Sequence, residues 1–156
     1  MLGVGAFLPL FNAYLVADVD HRVALAVLPG FCALSLASAL ASGLSDEVSD
    51  RAGGKHTYAS ERGNAFVRRR VEGLTLFGAL LWAMSARVVA PVISLPFAVL
   101  GVSIVLINWR RMRRCSGAAG TNAFSAQGRY KLLLHHAIWR GASALALGIA
   151  LGGVMK

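Results

Sequence analysis

Long uncharged runs dominate the chain and alternate with short polar or basic segments. Residues 1–17 and 23–44 carry no charged side chain, and residues 73–108 carry only Arg87. As one helix, the last of these runs would be about 54 Å long, against a membrane hydrocarbon core of about 30 Å. We therefore predict two helices in this run, separated near Arg87 and Pro91, because proline disrupts a helix interior.

A last helix is predicted over residues 129–155, with charged first turns and an uncharged run from Gly141. It brings the prediction to about five transmembrane helices, an all-α polytopic membrane helix bundle. The hydrophobic content of 56%, the charged content of 15% and the mean hydropathy of +0.61 are too apolar for an ordinary water-soluble domain. We expect a single transmembrane domain over residues 1–156. Residues 116–127 are rich in glycine, alanine, serine and asparagine, which predicts a flexible loop before the last helix.

The basic residues concentrate in two segments, residues 51–70 and 110–140, and only Arg22, Arg87 and Lys156 lie elsewhere. With five spans, the two segments fall on the same side of the membrane. Because cytoplasmic loops are enriched in lysine and arginine, this side is predicted to be cytoplasmic, in a protein of the cell inner membrane. The same distribution argues against nucleic-acid binding, despite the net charge of +9, because no basic soluble face is formed.

One polar stretch, residues 46–57, crowds acidic, basic and glycine residues between two apolar runs. If it is helical, Asp46 and Asp50 lie on one face with Cβ atoms about 5–6 Å apart, and their carboxylates can share Mg²⁺. The glycine pair that follows allows a tight turn, and Lys55 adds a mobile cationic donor. The pattern predicts a site for a metal-bridged phosphate.

The order Asp-x-x-x-Asp-Arg-Ala-x-Gly-Lys-x-Thr over residues 46–57, with Gly63 six residues later, resembles the second aspartate-rich motif of the UbiA superfamily of intramembrane prenyltransferases. Its ending is most similar to the 1,4-dihydroxy-2-naphthoate and geranylgeranylglyceryl-phosphate branches. The resemblance is specific over about residues 33–72 and rests on hydropathy elsewhere. It implies a nine-helix fold of which this chain is the C-terminal half, without the N-terminal half and its first Asn/Asp-rich motif.

The resemblance also implies a reaction: Mg²⁺-dependent transfer of a prenyl group from an allylic polyprenyl diphosphate to an aromatic or lipid acceptor, as in quinone or prenyl-lipid biosynthesis. Asp46 and Asp50 would hold the metal and, with the phosphate-binding Lys55, form the catalytic set. Three further residues in or next to the stretch would contact the diphosphate or close the cavity: Arg51, Ser42 and Tyr58. Ser42 stands where the family usually has asparagine.

Other interpretations stay open. The two aspartates can simply cap or solvate a helix end and pair with Arg51 and Lys55. The chain can also be a non-catalytic membrane subunit, or a degenerate copy that retains the fold. If it belongs to an enzyme, we expect it to be inactive alone, because the first motif would come from a separate N-terminal half or from a longer reading frame.

Several other polar and aromatic side chains are predicted to have structural roles. Glu47 is predicted to point away from the aspartates into solvent, and Arg68 and Glu72 are spaced to pair along one helix. The triplet Arg68–Arg70 is predicted to contact anionic lipid. Trp82 is predicted to lie at the membrane interface or in a packing contact.

Overall fold

The computed structural model describes residues 21–89, 94–119 and 124–154. Four long helices are present there: α1 (His21–Ser42), α4 (Asn64–Val89), α5 (Ser94–Ala119) and α6 (Phe124–Val154). Between α1 and α4 the chain forms a turn of 3₁₀ helix at Gly43–Ser45 and two short helices, α2 (Glu47–Ala52) and α3 (Tyr58–Arg62). No strand occurs in the described ranges, and the predicted all-α class is confirmed.

Three helical segments are long and apolar enough to cross a membrane: Leu25–Ser45, Leu95–Ala118 and Gln127–Gly152. They are consistent with an integral membrane protein. The fourth long helix, α4, begins with a charged segment and is not one of the three. The predicted first span, residues 1–17, lies outside the described residues, so the count of five is not confirmed.

The run of residues 73–108 forms two helices, as predicted. α4 ends at Val89 and α5 begins at Ser94, while Pro91 itself lies outside the described residues. Pro96 is accommodated in the first turn of α5, where the backbone N–H groups have no acceptor within the helix. The missing proline N–H therefore removes no bond there.

The segment predicted as a loop before the last helix is mostly helical instead. α5 continues through its arginines to Ala119, and α6 begins at Phe124, so the predicted loop over residues 116–127 and the predicted helix start at Arg129 are wrong. Arg68–Arg70 lie in α4, as the helical spacing of Arg68 and Glu72 predicts. The reason is that arginine and alanine are strong helix formers, and one glycine in such a segment costs only about 1 kcal/mol.

Trp82 of α4 forms the centre of the bundle and is fully buried. Its indole Nε1 donates a hydrogen bond of 3.2 Å to the carbonyl of Val27 in α1. The helices approach closely because glycines face the ring: a Cβ built on Gly30 of α1 would lie 2.4 Å from the indole, and one on Gly141 of α6 would lie 3.1 Å from it. Small residues therefore let the helix backbones approach closely at this contact.

Long-range hydrogen bonds bring the start of α4, the end of α5 and the start of α6 together. Arg68 donates to the hydroxyl of Ser116 at 2.9 Å, and the hydroxyl of Tyr130 donates to the carbonyl of Arg68 at 3.3 Å. One residue further along α6, the side chain of Lys131 reaches the end of α1. The two basic segments therefore share one end of the bundle, as the count of spans predicts.

Candidate functional site

The segment that joins α1 to α4, Gly43–Gly63, contains the predicted site and is called the motif loop. Its first α-helix, α2, begins with a hydrogen bond of 2.7 Å from the amide of Asp50 to the carbonyl of Asp46. Gly54 then takes a φ of 68°, a conformation that residues with a Cβ rarely adopt. The amide of Lys55 donates back to the carbonyl of Asp50 at 2.8 Å. The glycine turn therefore returns the lysine to the acidic helix.

The threonine of the motif begins the next helix. The hydroxyl of Thr57 accepts from the amide of Ser60 at 3.2 Å, and the hydroxyl of Ser60 accepts from the amide of Thr57 at 2.8 Å. This reciprocal pair is a capping box, which satisfies amides that would otherwise lack a partner at a helix start. Thr57 thus has a structural role, and α3 follows it to Gly63, where a φ of 79° turns the chain into α4.

The two aspartates lie at the start of one helix. Asp50 is within α2, and Asp46 is its N-cap residue, with a φ of −102° and a ψ of 0°. The amide of Asp50 donates to the carbonyl of Asp46 across the first turn. Asp46 is exposed, whereas the side chain of Asp50 is only 12% exposed. Within the described ranges, no group of three or more His, Cys, Asp or Glu side chains could hold a metal ion. Two carboxylates fit Mg²⁺ when substrate phosphates and waters complete the coordination.

Lys55 lies beside Asp50, with 3.5 Å between its Nζ and the carboxylate Oδ1. The lysine side chain is 70% exposed, and exposed ion pairs contribute about 1 kcal/mol or less. Its ammonium group can therefore leave the carboxylate for an incoming phosphate oxygen at little cost. This pairing is also what a purely structural loop would show.

Arg51 turns away from the aspartates and ties α2 to α3. Its Nη2 lies 3.2 Å from a carboxylate oxygen of Glu47 and donates at 3.0 Å to the carbonyl of Ser60. The side chain of Glu47 is consequently only 12% exposed, and the prediction that it points into solvent is wrong. The structure therefore gives Arg51 a bracing role, separate from Asp50 and Lys55.

Lys131 is a site residue that the sequence does not reveal. Its Nζ donates to the carbonyl of Ser42 at 3.1 Å and also contacts the hydroxyl of Ser45. The Asp46 carboxylate is near enough to act electrostatically on this ammonium group. Because 85 residues separate Asp46 from Lys131 in the chain, only the packing of α6 on the end of α1 could bring them together.

The other two predicted ligands, Ser42 and Tyr58, lie at the edges of the site. The hydroxyl of Ser42 donates to the carbonyl of Ala39 at 2.6 Å, within its own helix. Tyr58 packs against Phe66, with ring centroids 5.8 Å apart, and lines a groove between α1 and α4. Neither aspartate lines this groove.

Glu72 forms a second polar cluster at the same end of the bundle. Its carboxylate accepts from the Tyr130 hydroxyl at 3.3 Å and lies 3.9 Å from Arg113, while its carbonyl accepts from the indole of Trp109 at 2.9 Å. Arg68, predicted to pair with Glu72, bonds to Ser116. These contacts join α4, α5 and α6 and so hold the neighbouring Lys131 in place.

No protein-family model, curated protein or solved structure matches the chain. The resemblance to the intramembrane prenyltransferases therefore stays a prediction. The site consists of Asp46 and Asp50 at the start of one helix, Lys55 at 3.5 Å from Asp50, and Lys131 in contact with Ser45, the residue before Asp46.

Proposed function

We propose that the chain is the C-terminal half of a Mg²⁺-dependent intramembrane prenyltransferase of the UbiA type. It would transfer a prenyl group from an allylic polyprenyl diphosphate to an aromatic or lipid acceptor. One observation carries the proposal: a backbone hydrogen bond joins the two aspartates at the start of one helix, Lys55 pairs with Asp50, and Lys131 contacts Ser45, the residue before Asp46. Paired carboxylates and flanking ammonium groups are complementary to a metal diphosphate.

The residues would divide the chemistry between them. Asp46 and Asp50 would hold Mg²⁺, which when bound neutralises part of the charge on the departing diphosphate. Lys55 and Lys131 would donate to phosphate oxygens, where negative charge grows as the allylic carbon–oxygen bond breaks. The apolar helices would exclude water from the allylic cation, so that the acceptor captures it.

The proposal includes the finer topology. The chain would contribute five spans to a nine-helix enzyme, with the motif loop on the cytoplasmic side of the inner membrane. The N-terminal half and its first aspartate-rich motif would come from another polypeptide or from a longer reading frame. The shared end of the two basic segments supports this orientation, since all but three of the 16 lysines and arginines fall in them.

A second function, a non-catalytic membrane subunit, is favoured by the contacts of Arg51. That side chain is used entirely within the loop, on Glu47 and Ser60, and Asp50 already has Lys55 as a partner. Because these charged side chains already have partners within the loop, the loop does not need a ligand to pair with them. This alternative predicts that the acidic pair does not affect diphosphate binding.

The deciding experiment measures binding of geranylgeranyl diphosphate to the purified chain in nanodiscs, with Mg²⁺ and with EDTA. Asp50→Asn keeps the size of the side chain and removes its charge. We expect its affinity in Mg²⁺ to fall by about 10–100-fold, because a lost charged partner is worth about 1.5–3 kcal/mol. The Mg²⁺ dependence should disappear with it.

Glu61→Gln is the matched control, because Glu61 is an exposed acid of the same loop whose carboxylate lies 3.3 Å from His56. We expect it to bind like the wild type. Equal binding by wild type and Asp50→Asn, or binding that ignores EDTA, would contradict the proposal and favour the non-catalytic subunit. Circular dichroism of each variant confirms that the helices are intact.

A further inference from the structure

An open groove of about 520 Å³ runs between α1 and α4, and neither Asp46 nor Asp50 lines it. Its walls are apolar: Leu36 and Leu40 come from α1, and Leu74 and Phe77 come from α4. Leu36 and Phe77 are each more than half exposed. The groove is therefore accessible from the side of the bundle, where the acyl chains of a membrane would lie.

The rim of this groove at the motif-loop end is basic and aromatic. Arg69, Arg70 and Tyr58 line it there. The guanidinium of Arg70 lies 5.0 Å from the centre of the Phe66 ring, and that ring also contacts Tyr58. A cation above an aromatic face is held in place. Within the part of the chain that the structure describes, neither arginine forms an ion pair.

The distance between the basic rim and the apolar walls suits a molecule with a charged headgroup and an apolar chain. Seven residues separate Arg70 from Phe77, which is about 10 Å along a helix. A phosphate at the arginines would thus be followed by about 10 Å of apolar wall, leading from the interface toward the membrane interior. Arginine donates to phosphate oxygens through two parallel N–H groups, which gives this contact its geometry.

We propose that this groove binds one anionic phospholipid, with the headgroup phosphate on Arg69 and Arg70 and an acyl chain along the leucines. A polyprenyl diphosphate is the less suitable occupant, because its larger charge calls for a metal and neither Asp46 nor Asp50 lines the groove. Two arginines suit a phosphodiester that carries a single charge. This site does not depend on the prenyltransferase proposal.

The first test removes the rim charge. The full chain in detergent is titrated with phosphatidylglycerol or with phosphatidylcholine of the same acyl chains, and bound lipid is counted by native mass spectrometry. The wild type should prefer phosphatidylglycerol, and the double variant Arg69→Gln/Arg70→Gln should lose about fivefold in affinity for each arginine removed. Arg110→Gln/Arg111→Gln makes the same charge change on α5, outside the groove, and should keep the preference.

The second test fills the groove and leaves its charge unchanged. Gly73 lines the groove, and a Cβ there would meet no atom within 4 Å. Gly73→Leu should therefore fold, with a gain in helix propensity, and should abolish phosphatidylglycerol binding. Gly117→Leu is its control, because that glycine of α5 also has open space around it and does not line the groove.

Three results would overturn the proposal. Equal losses in the two double-arginine variants would show a general charge effect. Unchanged binding by Gly73→Leu would place the lipid elsewhere. Displacement of phosphatidylglycerol by geranylgeranyl diphosphate without Mg²⁺, dependent on Arg69 and Arg70, would assign the groove to the prenyl substrate.

Discussion

The motif loop and the core around Trp82 belong to the same bundle but are stabilised by different kinds of contact. The loop is held mainly by short-range contacts, such as the bond from Arg51 to Ser60, nine residues away. The core depends on contacts such as that from Trp82 to Val27, 55 residues away and fully enclosed. Short-range exposed contacts add little stability, whereas buried packing adds much. Substitutions in the core should therefore unfold the chain, and those in the loop should change only the site.

The sharpest contrast comes from removing the central ring. Trp82→Ala leaves a cavity where α1, α4 and α6 meet, and we expect the free energy of unfolding to fall by about 3–5 kcal/mol. Titration with SDS in mixed micelles, followed by circular dichroism, measures the change. Trp139→Ala is the control, because Trp139 is 42% exposed. Equal losses in the two variants would mean that Trp82 is not the centre of the bundle.

A smaller effect is expected where α1 and α4 approach each other. A Cβ on Gly78 would lie 2.7 Å from the side chain of Leu34 and 3.0 Å from the carbonyl of Gly30. Gly78→Leu should lower stability by about 1–3 kcal/mol, because a well-packed interface must open to admit the new atoms. Its thermal transition in detergent should fall below that of Gly73→Leu, which has open space on the same helix. A Gly78→Leu protein as stable as the Gly73→Leu protein would rule out this close packing.

Lys131 is the long-range tie between the loop and the bundle, and its loss should have an intermediate effect. Lys131→Met removes the bonds to Ser42 and Ser45 and should lower global stability by about 1 kcal/mol. Amide exchange near Ser45 should speed up while exchange in the centre of α5 stays unchanged. The neighbouring exposed residue provides the control, Arg129→Met, which should leave the exchange as in the wild type. Equal amide exchange rates near Ser45 in the Lys131→Met and Arg129→Met variants would show that Lys131 does not hold the motif loop to the bundle.

The smallest effect on stability should come from within the loop. Arg51→Gln loses the link between α2 and α3, yet its side chain is 61% exposed, so less than about 1 kcal/mol of global stability should be lost. Chymotrypsin should nevertheless cleave faster after Tyr58, since the loop opens locally. Arg62→Gln removes the same charge from an exposed position nearby and should not change the cleavage rate. A large drop in global stability would show that the loop and the core form one cooperative unit.

Much of this architecture could be predicted, and the errors have a definite cause. The break between α4 and α5 was readable because a single helix over residues 73–108 would be too long for a membrane. Residues 116–127 were misread as a loop because their small polar side chains suggest flexibility, although α5 and α6 extend over most of them. Glu47 was misread as solvated because spacing on a helix shows which face a residue occupies, and does not show that Arg51 will cover it.

The sequence by itself determined the apolar runs that become helices, the helical spacing of Asp46 and Asp50, and the glycine turn that returns Lys55 to Asp50. Each of these depends on residues a few positions apart, so local backbone chemistry specifies them. Only the tertiary structure decided that Lys131 contacts Ser42 and Ser45, that Trp82 fills the space between Gly30 and Gly141, and that Tyr58 joins Arg69 and Arg70 at a groove. Those contacts depend on how helices far apart in the chain pack against one another, which periodicity along one helix does not specify.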